Sequence, residues 1–175
     1  MFLVFQLRAP LGAFGNAQAE VKHTSMVPRR SAVLGLLAAA LGLDRSQAAE
    51  FADLSGHVAI ATAELREPHL LMDFHTVQAP VALSSVALDR SRADQLRRVA
   101  AACRDGSYRS TIVTQRAYLQ DGHWLIAVTA DSEERLNQLR DALEHPRFAL
   151  YLGRKSCPLS AFTAPLVVNA QSAED

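Results

Sequence analysis

The sequence predicts an α+β domain, and three observations predict it. Short apolar runs rich in β-formers recur along the chain, stretches with a helical apolar stripe stand between them, and turn residues separate most pairs. The 175 residues suit one domain, and 49% hydrophobic against 21% charged residues is the composition of a folded globule rather than a disordered chain.

The elements follow in order. Phe2 to Leu7 is a compact apolar run and reads as a buried strand. Ala9-Pro10-Leu11-Gly12 breaks it, and residues 12–30 read as a long loop, with Pro28 blocking any helix before it. Ser31 is a natural N-cap for a helix to Leu43. Val33, Leu34, Leu37 and Leu41 share one face of it, with Gly35, Ala38 and Gly42 permitting close packing. Asp44 to Asp53 reads as a polar connection or short helix. His57 to Leu65 and Leu70 to Val77 are the second and third strands. Residues 79–110 are the least regular part, with a helix over Arg92 to Arg104. Thr111 to Leu119 is a strand, Gln120-Asp121-Gly122 is a hairpin signal, and His123 to Thr129 is the returning partner. Ser132 caps a helix striped by Leu136, Leu139 and Leu143, Phe148 to Leu152 is the last strand, and Gly153 to Pro158 is a basic loop. A β-α-β half followed by a hairpin, a helix and a strand is the ferredoxin-like, RRM-like pattern.

Eighteen basic and eighteen acidic residues leave no net charge, which by itself weighs against a phosphate binder. The distribution is uneven. Residues 1–43 carry Arg8, Lys22, Arg29 and Arg30 against Glu20 alone, and residues 147–160 carry Arg147, Arg154 and Lys155 with no acid. Two isolated cysteines, Cys103 and Cys157, give no metal-finger spacing and no disulfide framework, so a reduced, cytoplasmic setting is expected. The histidines form no ligand pair, so no metal and no cofactor are expected. Arg29-Arg30 ahead of an apolar run mimics an export signal, but a run of about 12 residues falls well short of the roughly 20 needed to span a bilayer. It reads better as a small-residue helix packed on a sheet.

Five blocks carry a resemblance: LRAPLGAFG (7–15), VPRRSAVLGLLAAALGLDR (27–45), DFHTVQ (73–78), TQRAYLQDG (114–122) and LYLGRKSCPL (150–159). Their order and content resemble the CasD family, the fifth family of Cas proteins within the RAMP superfamily, and most closely its type I-E branch. The resemblance implies a non-catalytic subunit of the CRISPR Cascade complex. That subunit binds the 5′ handle of the guide RNA (crRNA), caps the backbone filament, and contacts the backbone and large subunits in antiviral defence. It implies no membrane and no small-molecule substrate. It also implies that 79–110 is a thumb-like insert in a single domain over 1–175, and that 160–175 is an incomplete C-terminal segment with strands truncated. The sequence departs from the family at Arg29, where a threonine is usual, at Lys22-His23-Thr24, where an arginine precedes the threonine, and at Asp121-Gly122, where DA is usual.

Candidate RNA-binding residues follow. Arg29, Arg30 and Ser31 open a helix, where free N–H groups and the helix dipole favour phosphate; on spacing alone, an ordinary cap with solvated arginines is the plainer alternative. Arg154, Lys155 and Ser156 follow a glycine that lets a ligand approach the backbone, without the spacing of a nucleotide-triphosphate loop. Arg116 and Tyr118 lie two apart on a strand and so share a face, where Arg pairs a phosphate and Tyr stacks a base. His75, in an apolar strand, is a satisfied structural residue or a contact to a handle nucleotide. A second class of function is a metal-independent endoribonuclease acting on CRISPR repeat RNA, with His75, Tyr118 and Lys22 as its acid–base groups.

Overall fold

The computed structural model describes residues 1–15, 21–77, 112–160 and 165–170, together with positions 94, 97, 100, 101, 103, 104 and 106. It is an α+β structure built on two four-stranded sheets. The first sheet runs β4 (Val58–Arg66), β7 (His123–Ala130), β1 (Phe2–Arg8), β8 (Leu166–Val168), with every neighbour antiparallel. The second is organised by β6 (Ile112–Gln120). It pairs antiparallel with β5 (His69–Val77) along its length, antiparallel with β2 (Leu11–Gly12), and parallel with β3 (Val21–Lys22).

Alternation explains the first sheet. Leu3, Phe5 and Leu7 of β1 and Trp124, Ile126 and Val128 of β7 are buried, while the residues between them are partly exposed. The buried faces meet α1 (Arg30–Leu41) and α3 (Glu133–Glu144), whose Val33, Leu37, Leu136, Leu139 and Leu143 complete the core. Each such side chain contributes about 1.5–3 kcal/mol by leaving water. The run after Arg29-Arg30 is therefore a core helix. Among the described residues no helix is long and apolar enough to cross a membrane.

The N-cap of α1 lies two residues earlier than expected. Arg29, in extended backbone, is its N-cap, and Ser31 lies in the first turn, because the Arg29 carbonyl already accepts from Ala32 and Val33. Gly42 ends it in the left-handed conformation, and Leu43 N–H reaches back to the Ala38 carbonyl. Gly35 is not a close-approach residue: an added Cβ there would meet nothing within 4 Å. α2 (Ala48–His57) follows, placed a little beyond the polar stretch read as a short helix. Ser132 caps α3 as expected, accepting from Arg135 N–H at 3.2 Å. The described positions from Asp94 to Arg104 are helical, in keeping with the helix expected there, and Gly106 is in a turn; the rest of 79–110 lies outside the described residues.

Two expected pairings differ. Residues 120–122 form no hairpin: β7 pairs with β1 and β4, not with β6. Asp121 takes φ 58° and its N–H bonds the Pro10 carbonyl, so Pro10 and Asp121 are matched bends in two strands that continue from one sheet into the other. Arg8 opposes His123 on one side of the bend and Leu11 opposes Gln120 on the other. Phe148 to Leu152 is no strand either. The Arg147 and Phe148 N–H groups bond the Ala40 and Ala39 carbonyls at the end of α1, and only Tyr151 makes an isolated bridge, to Pro158. The outer strand beside β1 is Leu166–Val168, within the segment expected to be incomplete.

Candidate nucleic-acid interface

The segments on either side of β3, residues 13–15 and 23–29, are pinned at several points. Phe14 N–H donates to Thr24 Oγ1 at 2.8 Å, and its carbonyl accepts from Ser25 N–H at 3.1 Å. The Phe14 ring meets Trp124 edge-on with centroids 5.3 Å apart, and the Trp124 indole N–H donates to the Met26 carbonyl at 3.1 Å. An aromatic pair of this kind is worth about 0.5–1.5 kcal/mol beyond its burial. The first of these segments crosses the basic loop at Gly153. Ala13 N–H donates to the Leu152 carbonyl at 3.0 Å, and a Cβ on Gly153 (φ 82°) would lie 1.7 Å from the Ala13 carbonyl oxygen. Leu152 N–H to the Cys157 carbonyl and Cys157 N–H to the Arg154 carbonyl, both 2.8 Å, close the basic loop on itself.

Two adjoining features result. The first is a cavity of about 200 Å³ lined by Ala13, Phe14, Gly15, Arg29, Ser31, Ala32 and Gly153. It lies at the start of α1, whose first turn holds no acid and no side-chain cap. The second is a polar cluster around Tyr118. The Arg154 guanidinium lies over the Tyr118 ring, 4.5 Å from its centroid. Burial pushes the Tyr118 phenol up, but hydrogen bonding to Arg154 and Ser156, the Arg154 charge and hydrogen bonding to Arg116 outweigh it, leaving the phenol below the usual tyrosine value. Arg116 Nε and Arg154 Nη1 are buried and have no hydrogen-bond partner among the described residues. A buried donor without a partner costs about 1–3 kcal/mol, and more for a charged group.

The other expected residues are dispersed. Arg30 is engaged within the fold: its guanidinium donates to Ser55 Oγ (3.2 Å), the Ser55 carbonyl (2.5 Å) and the Val58 carbonyl (3.2 Å), tying α1 to the end of α2. Lys155 is exposed and borders a separate open groove of about 970 Å³ with Arg45, Phe51, Phe148 and Tyr151. His75 is half-exposed on β5, with Nδ1 3.9 Å from the Asp73 carboxylate. Lys22 opposes Arg116 through the parallel β3–β6 pairing, and Asp73 opposes Arg116 from the other side. Tyr118, read from its spacing as a stacking platform, is only 8% exposed and one face is covered by Arg154.

The structure thus joins Arg116, Tyr118, Arg154 and Ser156, sets Arg29 and Ser31 beside them across Gly153, and keeps Arg30 apart. Asp73 was missed, although its spacing from His75 already placed both on one face. The Arg154–Tyr118 stack carries no sequence signal, because it joins residues 36 positions apart. Among the described residues, no group of three or more His, Cys, Asp or Glu is placed to hold a metal.

The chain matches the model of a family described as CRISPR-associated protein (Cas_Cas5) over residues 2–175, and it belongs to that family. It is 31% identical over 177 residues to the CRISPR system Cascade subunit CasD of Escherichia coli (strain K12), an alignment that takes in 99% of this chain and 73% of the relative. Among solved structures it superposes on a chain of a CRISPR RNA-guided surveillance complex with a TM-score of 0.62 at 25% identity. That match covers 91% of this chain and 60% of the other, so the chain spans about three fifths of its length. It also superposes on a structure described as "Crystal structure of Cas protein", with a TM-score of 0.64 at 26% identity over 99% of this chain and 68% of the other.

Proposed function

We propose that this protein is a non-catalytic Cascade subunit that holds the 5′ handle of a CRISPR guide RNA and caps the backbone filament, contacting the backbone and large subunits in the cytoplasm. The observation that carries the reading is the pair of buried, unpartnered guanidinium N–H groups on Arg116 and Arg154, in a member of a CRISPR-associated family. Guanidinium keeps its charge at any physiological pH, so donors left free in this way call for an anion, and a phosphodiester supplies one negative charge over two oxygens. The cavity beside them adds Arg29, Ser31 and the positive end of α1.

The order β4-β7-β1-β8, with α1 and α3 against one face, supports the ferredoxin-like reading of the first sheet. The long connection between β5 and β6 is the place of the thumb-like insert over 79–110. The non-catalytic reading rests on Tyr118. A phenol this enclosed, with Arg154 over its ring, is badly placed to move a proton for a 2′-hydroxyl.

The test is binding of handle RNA by the assembled complex across a salt series. Arg154→Ala and Arg116→Ala should each weaken binding by roughly 1–3 kcal/mol. Each should also lower the log–log salt slope by about one unit, the share of one phosphate neutralised. Wild-type binding with no salt dependence, or variants that bind as wild type does, would overturn the assignment. Cleavage of repeat RNA that is abolished in His75→Ala would favour the endoribonuclease.

A further inference from the structure

We infer that Tyr118 does not stack on a nucleobase but is the positioning residue of a two-arginine clamp, in which Arg116 and Arg154 together grip a single phosphodiester of the RNA. The inference rests on the RNA-binding reading above and specifies what that site takes.

Three observations lead to it. First, the Tyr118 ring is unavailable: it is 8% exposed, belongs to the hydrophobic core, and carries Arg154 over one face at 4.5 Å. A stacking platform needs an open face. Second, the ring and the hydroxyl do different work. The ring holds Arg154 by cation–π attraction, Arg116 shares the strand face of Tyr118 two residues away, and the phenol is held below its usual value by Arg154, Ser156 and Arg116 against the opposing effect of burial. One tyrosine thus holds two guanidinium groups that come from separate parts of the chain, β6 and the 152–157 loop. Third, each of those groups has a buried N–H left over, Arg116 Nε and Arg154 Nη1. Two like charges would otherwise repel; held side by side they are stabilised by an anion bonded to both. A phosphodiester supplies one negative charge over two oxygens, and no base edge offers that charge.

The clamp and a stacking tyrosine differ in what they predict. Tyr118→Phe keeps an aromatic ring and removes only the hydroxyl. If Tyr118 stacked on a base, this variant would bind handle RNA like wild type. With a clamp, affinity in the assembled complex falls about tenfold, as expected for one charge-assisted hydrogen bond. The salt slope should fall with it, because the arginine–phosphate bond that the hydroxyl positions is ionic. In a background lacking both arginines (Arg116→Ala with Arg154→Ala) Tyr118→Phe should have no further effect, since the hydroxyl acts on the RNA only through them. A second arm needs no substitution. Handle RNAs carrying one neutral methylphosphonate linkage at a time are titrated against the wild-type complex. One position should lose roughly tenfold in affinity, and at that position Arg116→Ala and Arg154→Ala should become silent.

If the wild-type complex shows no salt-dependent handle binding, the functional reading fails. If it binds and Tyr118→Phe is unchanged in affinity and slope, the clamp alone is overturned. A further loss when Tyr118→Phe is added to the variant lacking both arginines, or no sensitive linkage anywhere in the handle, also overturns it.

Discussion

Replacing Gly153 by alanine tests how tightly the two loops of the candidate site are locked. Two costs add. Gly153 sits at φ 82°, where an L-residue loses roughly 1–2 kcal/mol. The new Cβ would also stand 1.7 Å from the Ala13 carbonyl oxygen, which is backbone and cannot rotate away, so one of the two segments must withdraw. Withdrawal breaks the 3.0 Å bond from Ala13 N–H to the Leu152 carbonyl, worth about 0.5–1.5 kcal/mol. The sum is about 1.5–3.5 kcal/mol, or a fall in Tm of roughly 3–14 °C for a chain of this length. Gly42→Ala is the internal standard. Gly42 has the same φ of 82°, but its Cβ would meet the Arg147 side chain, with Cδ at 2.6 Å, and a flexible side chain can swing aside. That variant should lose only about 1–2 kcal/mol, the backbone cost alone. Thermal unfolding of the two variants, followed by circular dichroism, separates conformation from collision. If Gly153→Ala melts with Gly42→Ala, the loops do not cross as closely as described. The lock would then not be what sets Arg154 over Tyr118.

Two further predictions concern titratable groups. Cys157 is fully buried and its thiol is pushed up by that burial, whereas Cys103 is exposed. Iodoacetamide on the native protein at neutral pH should therefore add one adduct, at Cys103, with Cys157 modified only in denaturant, as read by peptide mass spectrometry. The Asp53 carboxyl is held below its ordinary 3.8, chiefly by hydrogen bonding to Arg135, against the opposing effect of burial, with the Arg135 and His57 charges assisting. A lowered folded value means that this link stabilises the α2–α3 contact above pH 3.8 and is lost as pH falls through the lower folded value. The melting difference between wild type and Asp53→Asn should accordingly be present at neutral pH and vanish in acid. A difference that persists there would show that the carboxylate is not the group at work.

The parts of the fold legible in sequence are those whose signal is local. Leu3, Phe5 and Leu7 alternate within one strand, Leu136, Leu139 and Leu143 repeat along one helix, and Ser132 caps the residues next to it. Each element could be found from its own periodicity. The pairing of elements could not. Gln120-Asp121-Gly122 carries hairpin chemistry, but whether a chain reverses there depends on which partners wait on either side. Here β1 offers β7 a six-residue antiparallel register, and β5 offers β6 nine. Phe148 to Leu152 looks like a strand for the same local reason and is claimed instead by the free carbonyls at the end of α1. The site divides along the same line. That Arg116 and Tyr118 share a face is a two-residue fact; that Arg154 covers the ring, and that Arg30 turns away to Ser55 and Val58, are facts about distant segments.

The misread turn is also what builds the site. Had residues 120–122 reversed the chain, β6 would lie beside β7 in the first sheet, with Tyr118 packed along that strand. Because the chain passes through Asp121 without reversing, opposite the bend at Pro10, β6 is carried out of the first sheet as β7 enters it. Arg116 and Tyr118 then flank the junction between the sheets, next to β2 and the Ala13 loop that leaves it. The Ala13 loop is in turn the segment that Gly153 crosses, and the crossing puts Arg154 and Ser156 against Tyr118. A positive φ at a non-glycine residue, Asp121, is tolerated because a short polar side chain suffers least there, and the Pro10 carbonyl takes its N–H. The bend at Asp121 thus connects the sheet that holds the core to the arginine–tyrosine cluster proposed to grip RNA.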